Sequence, residues 1–154
     1  TDYRRRHVGF VFQFFNLLPT LTARENVQVA ADICPDPAPV TDMLEMVGLG
    51  DRADHFPSQM SGGEQQRAAI ARAMVKNPRI ILGDEPTGAL DYETAKVVLD
   101  VLRQAHRQSE KTVVIVTHNT AIGRMADRVA HMRSGRITEI ETNDSPVEPE
   151  DLEW

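Results

Sequence analysis

The chain has 154 residues, 41% of them hydrophobic, and a formal net charge of −6, with a single cysteine, Cys34. It is long enough to bury a core. One thiol excludes an internal disulfide, and no apolar run approaches the ~18 residues that a membrane span requires. From Glu139 onward there are seven acidic residues and no Lys or Arg, which leaves 16 acidic against 17 basic residues before it. That near-neutral body carries no electrostatic footprint for nucleic acid.

Arg4-Arg5-Arg6 reads as a solvated face, and His7 to Phe12 as a strand. Gln13 follows, with the apolar run Phe14, Phe15, Leu17 and Leu18, which is hard to justify on a solvated surface. Thr22-Ala23-Arg24-Glu25 has the spacing of a capping box and opens a helix to about Asp32. A Pro-rich loop leads to a short helix, Thr41 to Val47, closed by Gly48.

Ser61-Gly62-Gly63-Glu64 repeats the capping-box spacing and opens a helix from Glu64 to about Lys76, with Ile70, Ala73 and Met74 on one face. Capping explains Ser61 and Glu64. It does not explain Gly62 and Gly63, since glycine costs about 1 kcal/mol relative to alanine inside a helix. Paired glycines suggest a close approach to the backbone, and an anion is the natural visitor to a helix N-terminus. Cap and phosphate site are compatible.

Arg79 to Leu82 reads as a short buried strand of a parallel sheet. Asp84 and Glu85 stand at its carboxyl end, where ligands of open α/β sheets gather. A lone Asp-Glu pair commonly does no more than end a strand; the Pro86-Thr87-Gly88 turn and the upstream glycines argue for more here. Successive strand residues point in opposite directions, so the two carboxylates can do different work. A helix from Glu93 to about Gln108 presents Val97, Val98, Val101, Leu102 and Ala105 to the sheet. Arg128 to Met132 and Ile137 to Ile140 form a hairpin around Ser134-Gly135, and Asn143 to Trp154 reads as a solvated, mobile tail.

Met60-Ser61-Gly62-Gly63-Glu64-Gln65-Gln66-Arg67 resembles the signature motif of ATP-binding-cassette (ABC) ATPases. Ile80 to Asp91 resembles their Walker B strand and D-loop, Val113 to Asn119 their switch-histidine strand, and Phe10 to Thr22 their Q-loop. The four motifs stand in family order over roughly residues 8 to 140, and their wording is most similar to the lipoprotein-releasing, macrolide-exporting and cell-division branch. No G-x-x-x-x-G-K-[ST] phosphate loop occurs. The resemblance therefore implies an α/β, P-loop NTPase-like fold with a mostly parallel sheet, lacking its amino-terminal part. It implies a partial ATPase domain over 1–141, with a helical subdomain inserted at about 20–75, and an acidic flexible tail over 142–154. Alone, such a piece is expected to bind ATP weakly or not at all.

By the same resemblance Glu85 is the general base and Asp84 holds Mg²⁺ through its hydration shell. Gln13 reaches metal and water and senses a membrane subunit, and His118 contacts the γ-phosphate of ATP. Asp91 lies at a dimer seam, and the turn Ser61, Gly62, Gly63 with Glu64 meets ATP held by a second copy. The implied protein is the ATP-hydrolysing subunit of an ABC transporter, on the inner face of the plasma membrane. Its implied partners are a transmembrane permease and a second nucleotide-binding domain, forming a homodimer, and not nucleic acid. The alternatives are a DNA-maintenance ATPase of the same type and a catalytically dead binding remnant. The first predicts long coiled-coil insertions, and the chain has no sustained heptads.

Overall fold

A computed structural model of the chain describes residues 2–109 and 111–154. Three strands, β1 (Val8–Phe12), β2 (Ile80–Asp84) and β3 (Thr112–Val116), form a parallel sheet in the order β1-β2-β3. The register sets Phe12 beside Asp84 and Asp84 beside Val116, so the three carboxyl ends finish at one level. Parallel neighbours need long crossovers. Between β1 and β2 the chain makes α2 (Ala23–Asp32), α3 (Val40–Met46) and α4 (Gly62–Met74); between β2 and β3 it makes α5 (Tyr92–Ser109). No helix among the described residues is long and apolar enough to cross a membrane.

Both capping boxes form. Thr22 and Glu25 satisfy each other's amides at α2, and Ser61 and Glu64 do so at α4. The apolar faces of α2, α3 and α4 share one core with Val11, Ile81 and Val98, so the helices and the inner sheet face are a single packed unit. The opposite sheet face leaves Phe12, Val114 and Val116 exposed. β4 (Arg128–Arg133) and β5 (Arg136–Thr142) pair as an antiparallel hairpin. Ser134 and Gly135 both take positive φ, the backbone of a two-residue hairpin turn.

Four sequence expectations need correction. The first strand starts at Val8 rather than His7, because Asp2–His7 winds into a short helix, α1. Val97 is 47% exposed: the buried stripe of α5 is Val98, Val101, Leu102 and Ala105, and Val97 lies outside that arc. Of the apolar loop residues, Phe14 and Leu18 are exposed, whereas Phe15 and Leu17 are half-buried. Long-range donors fix this choice: Arg72 of α4 donates to the Phe15 and Asn16 carbonyls, and the buried Asn26 amide holds Leu18 and Leu21.

The fourth correction concerns the acidic tail, which is docked. Leu152 is fully buried with Leu99, Ile122 and Met125. Tyr92 donates its hydroxyl to the Leu152 carbonyl at 2.6 Å, and Lys96 donates to the Glu150 carbonyl at 2.8 Å. Arg107 pairs with Glu148, and Trp154 meets the Tyr92 ring edge-on at 4.8 Å. Composition gave the segment its charge, but the cations that receive it come from α5, and the apolar slot is built by Leu99 of α5 with Ile122 and Met125 of the turn after β3.

Candidate active site

The carboxyl ends of the three strands carry the site. Gln13 follows β1, Asp84 closes β2 with Glu85 next, and Thr117 and His118 follow β3. Glu85 has φ 47°, in the left-handed region that non-glycine residues rarely occupy. Its amide donates to the Val116 carbonyl at 2.9 Å, adding one rung beyond the strands. The left-handed turn aims the side chain across the end of the sheet toward β3.

There the carboxylate meets three donors. The His118 amide reaches Oε1 at 2.8 Å, His118 Nδ1 reaches the same oxygen at 2.7 Å, and Thr117 Oγ1 donates to Oε2 at 3.1 Å. Partial burial pushes the Glu85 carboxyl up. The bonds from the His118 ring and amide and from Thr117 outweigh it and hold the group below its ordinary value. An ionised carboxylate only accepts, so Nδ1 must carry the proton and Nε2 is left to face outward. A cleft of about 320 Å³ opens beside this pair, lined also by Thr87, Gly88, Leu90, Asn119 and Trp154.

Gln13 lies over the turn after Glu85: a Cβ added at Gly88 would sit 2.8 Å from Gln13 Nε2. Glycine at 88 is what admits the amide. Asp84 is exposed at the strand end. The structure thus gathers Gln13, Asp84, Glu85 and His118 at one end of the sheet.

Ser61, Gly62, Gly63 and Glu64 stand apart and do not line the cleft. The Glu64 carboxylate is committed to the cap: the Ser61 amide donates to it at 2.7 Å, and Arg52 lies 3.5 Å away. The Ser61 amide above all, with the Ser61 hydroxyl and Arg52, keeps its carboxyl below the ordinary value against the opposing effect of desolvation. The close approach expected at the glycines is real and comes from within the chain. A Cβ at Gly63 would lie 2.1 Å from the Thr94 methyl of α5, and one at Gly62 would touch Leu90 and Phe15 at 3.5 Å. Asp91 fixes Thr94, accepting from its hydroxyl at 2.6 Å and its amide at 3.0 Å, and these bonds hold the Asp91 carboxyl below its ordinary value.

Sequence reasoning missed Gln66 and Trp154. Gln66 is fully buried and donates from Nε2 to the carbonyls of Phe12 and Pro86. Its signal was a polar residue one turn before Ile70 on the apolar face of α4. Trp154 reaches the cleft only through the docked tail and had no local signal.

For the implied metal and nucleotide, the donor chemistry fits. Asp84, Glu85 and Gln13 offer oxygens, which suit a hard cation that keeps waters and takes its remaining ligands from phosphate. The described residues hold no cluster of three or more His, Cys, Asp or Glu able to bind a metal by themselves.

A parallel sheet with helical crossovers, its carboxyl ends presenting paired acidic residues and a histidine, defines an α/β protein with its candidate ligand site at the strand ends. The comparisons make this specific. The ABC transporter family model matches residues 1–88, and the chain belongs to that family. It is 43% identical over 157 residues to a Mycoplasma pneumoniae protein described as an ABC transporter ATP-binding protein, covering 100% of this chain and 34% of the relative. It is 49% identical over 139 residues to the macrolide export ATP-binding/permease protein MacB of Brucella melitensis, covering 87% of this chain and 21% of that protein. A dimeric ATP-binding cassette in a post-hydrolysis state, bound to ADP and Pi, superposes with a TM-score of 0.79 at 40% identity, over 92% of this chain and 65% of that one. The chain therefore spans about a third of the first of these relatives and a fifth of the second.

Proposed function

We propose that this chain is part of the ATP-hydrolysing subunit of an ABC transporter, converting ATP and water to ADP and phosphate. The observation that carries the reading is the Glu85 carboxylate, ionised and oriented by His118 and Thr117 at the carboxyl ends of the parallel strands. Glu85 accepts a hydrogen bond from the attacking water, aligns it and takes up its proton as the bond from the water oxygen to the γ-phosphorus forms and the bond from that phosphorus to the bridging oxygen breaks, the oxygen leaving on ADP. His118 keeps Glu85 in that orientation through Nδ1 and turns Nε2 toward the phosphate side of the cleft. Asp84 and Gln13 would hold Mg²⁺, which supplies charge neutralisation on the phosphate oxygens. Asp91 and the Ser61-Gly62-Gly63 turn face a second copy of the domain. Phe14 and Leu18, exposed on a loop that Arg72 and Asn26 hold, are the surface for a helix of a membrane permease, with the subunit working at the cytoplasmic face of a membrane.

The test is Glu85→Gln in a protein that carries this chain together with an upstream phosphate loop. Glutamine keeps the size and can still bond Thr117, but it is no base. Hydrolysis should fall by ~10²–10⁴-fold with ATP binding retained. Turnover near the wild-type rate would remove Glu85 from the role.

A further inference from the structure

Gln66 is 0% exposed, and its one Nε2 donates to two main-chain carbonyls, Phe12 O at 3.1 Å and Pro86 O at 2.5 Å. Phe12 immediately precedes Gln13, and Pro86 immediately follows Glu85. Oε1 is buried with no partner among the described residues. Turning the amide over would set that oxygen against both carbonyls, so the orientation is fixed by repulsion as well as attraction. Buried polar atoms are normally satisfied; a position that tolerates an orphaned oxygen keeps the residue for its two donors. Glutamate has no donor to offer here, and methionine matches the length without any.

The placement on α4 matters as much as the bonds. Gln66 lies just over one turn beyond Ser61, whose capping box with Glu64 starts the helix, and Gly62 and Gly63 stand between them. The helix is close to rigid over that distance. A displacement of its first turn is therefore carried to both carbonyls at once, and through them to the residues on either side.

Taking Gln13 and Glu85 to act as described above, we infer that Gln66 is a positioning residue: its single buried amide yokes Gln13 and Glu85 to the first turn of α4. Engagement of the Ser61-Gly62-Gly63 turn is then transmitted to both residues through one side chain, and the two loops move together.

Gln66→Met removes both donors at nearly constant size. Ile70→Val on the same helix, also fully buried, is the control for general loosening. In the chain as it stands, amide hydrogen exchange over 12–16 and 85–90 should quicken on the order of tenfold in both segments for Gln66→Met and stay unchanged in Ile70→Val. Faster exchange in one segment only, or an equal effect in the control, overturns the inference. Should Gln66→Met fail to fold, the unmodified chain decides: the two segments must share one denaturant dependence of exchange, and different dependences overturn the yoke. With an upstream phosphate loop present, Gln66→Met should lower kcat on the order of tenfold at little-changed KM for ATP. A wild-type protein without ATPase activity would sink the hydrolytic reading, while the exchange result would still decide the coupling.

Discussion

Glu85 combines two things that a structural carboxylate at the end of a strand does not need, a left-handed backbone and a full set of donors. Sparsely populated backbone costs about 1–3 kcal/mol and persists where the surroundings over-determine it. Here the Val116 carbonyl, Thr117 and His118 do so. The same donors have a consequence for acid stability. The folded-state pKa of Glu85 lies below the ordinary 4.5, so its ionised form favours the folded state. That contribution is complete above 4.5 and is lost as pH falls through the lower folded value. Urea unfolding of the wild type and of Glu85→Gln between pH 7 and pH 3 should show the wild type losing more stability on the acid side. Parallel acid limbs would mean that the His118 and Thr117 bonds do not favour the carboxylate. Asp84 and Glu85 were legible in the sequence as a pair; the left-handed turn that separates their directions was not, because it depends on β3.

The junction between the start of α4 and the start of α5 is built by three residues from two elements. Asp91 holds Thr94 by hydroxyl and amide, and the Thr94 methyl then occupies the space that a side chain at 63 would need. Thr94 cannot rotate away without breaking its bond to Asp91. Overpacking at Gly63→Ala should cost about 1–3 kcal/mol against the ~1 kcal/mol that alanine regains over glycine in a helix, a net destabilisation of up to about 2 kcal/mol. Adding Thr94→Ala should restore part of the loss, and a double-mutant cycle by urea unfolding measures the coupling. Strictly additive effects would place the crowding elsewhere. Local signals fared well at this scale: both capping boxes, the short strands and the hairpin turn are specified within a few residues. What could not be read were choices among equivalent local options. Val97 and Val98 are the same residue type side by side, and only the position of the sheet decides which is buried. Phe14 and Phe15 pose the same problem, decided by Arg72 more than fifty residues away.

The molecule exposes 8926 Å², whereas a compact monomer of 17.2 kDa is expected to expose about 7,800 Å². The excess fits the projecting hairpin, with Met132, Ile137 and Ile140 in solvent, and the uncovered sheet face with Val114 and Val116. The Phe14–Leu18 loop is different in kind, because Arg72 and Asn26 hold its exposed residues in place. Phe14→Ser with Leu18→Ser should therefore leave the melting temperature almost unchanged and reduce co-purification with the cognate permease. Undiminished association would show that the partner binds elsewhere. The docked tail also gives the molecule a property that none of its chemistry requires. Trp154 is the chain's one tryptophan, and docking sets it against Tyr92 at the rim of the cleft that holds Glu85 and His118. The protein thus carries an optical reporter of its own: unlabelled, its ultraviolet emission registers both the release of the tail and the arrival of anything that enters beside it.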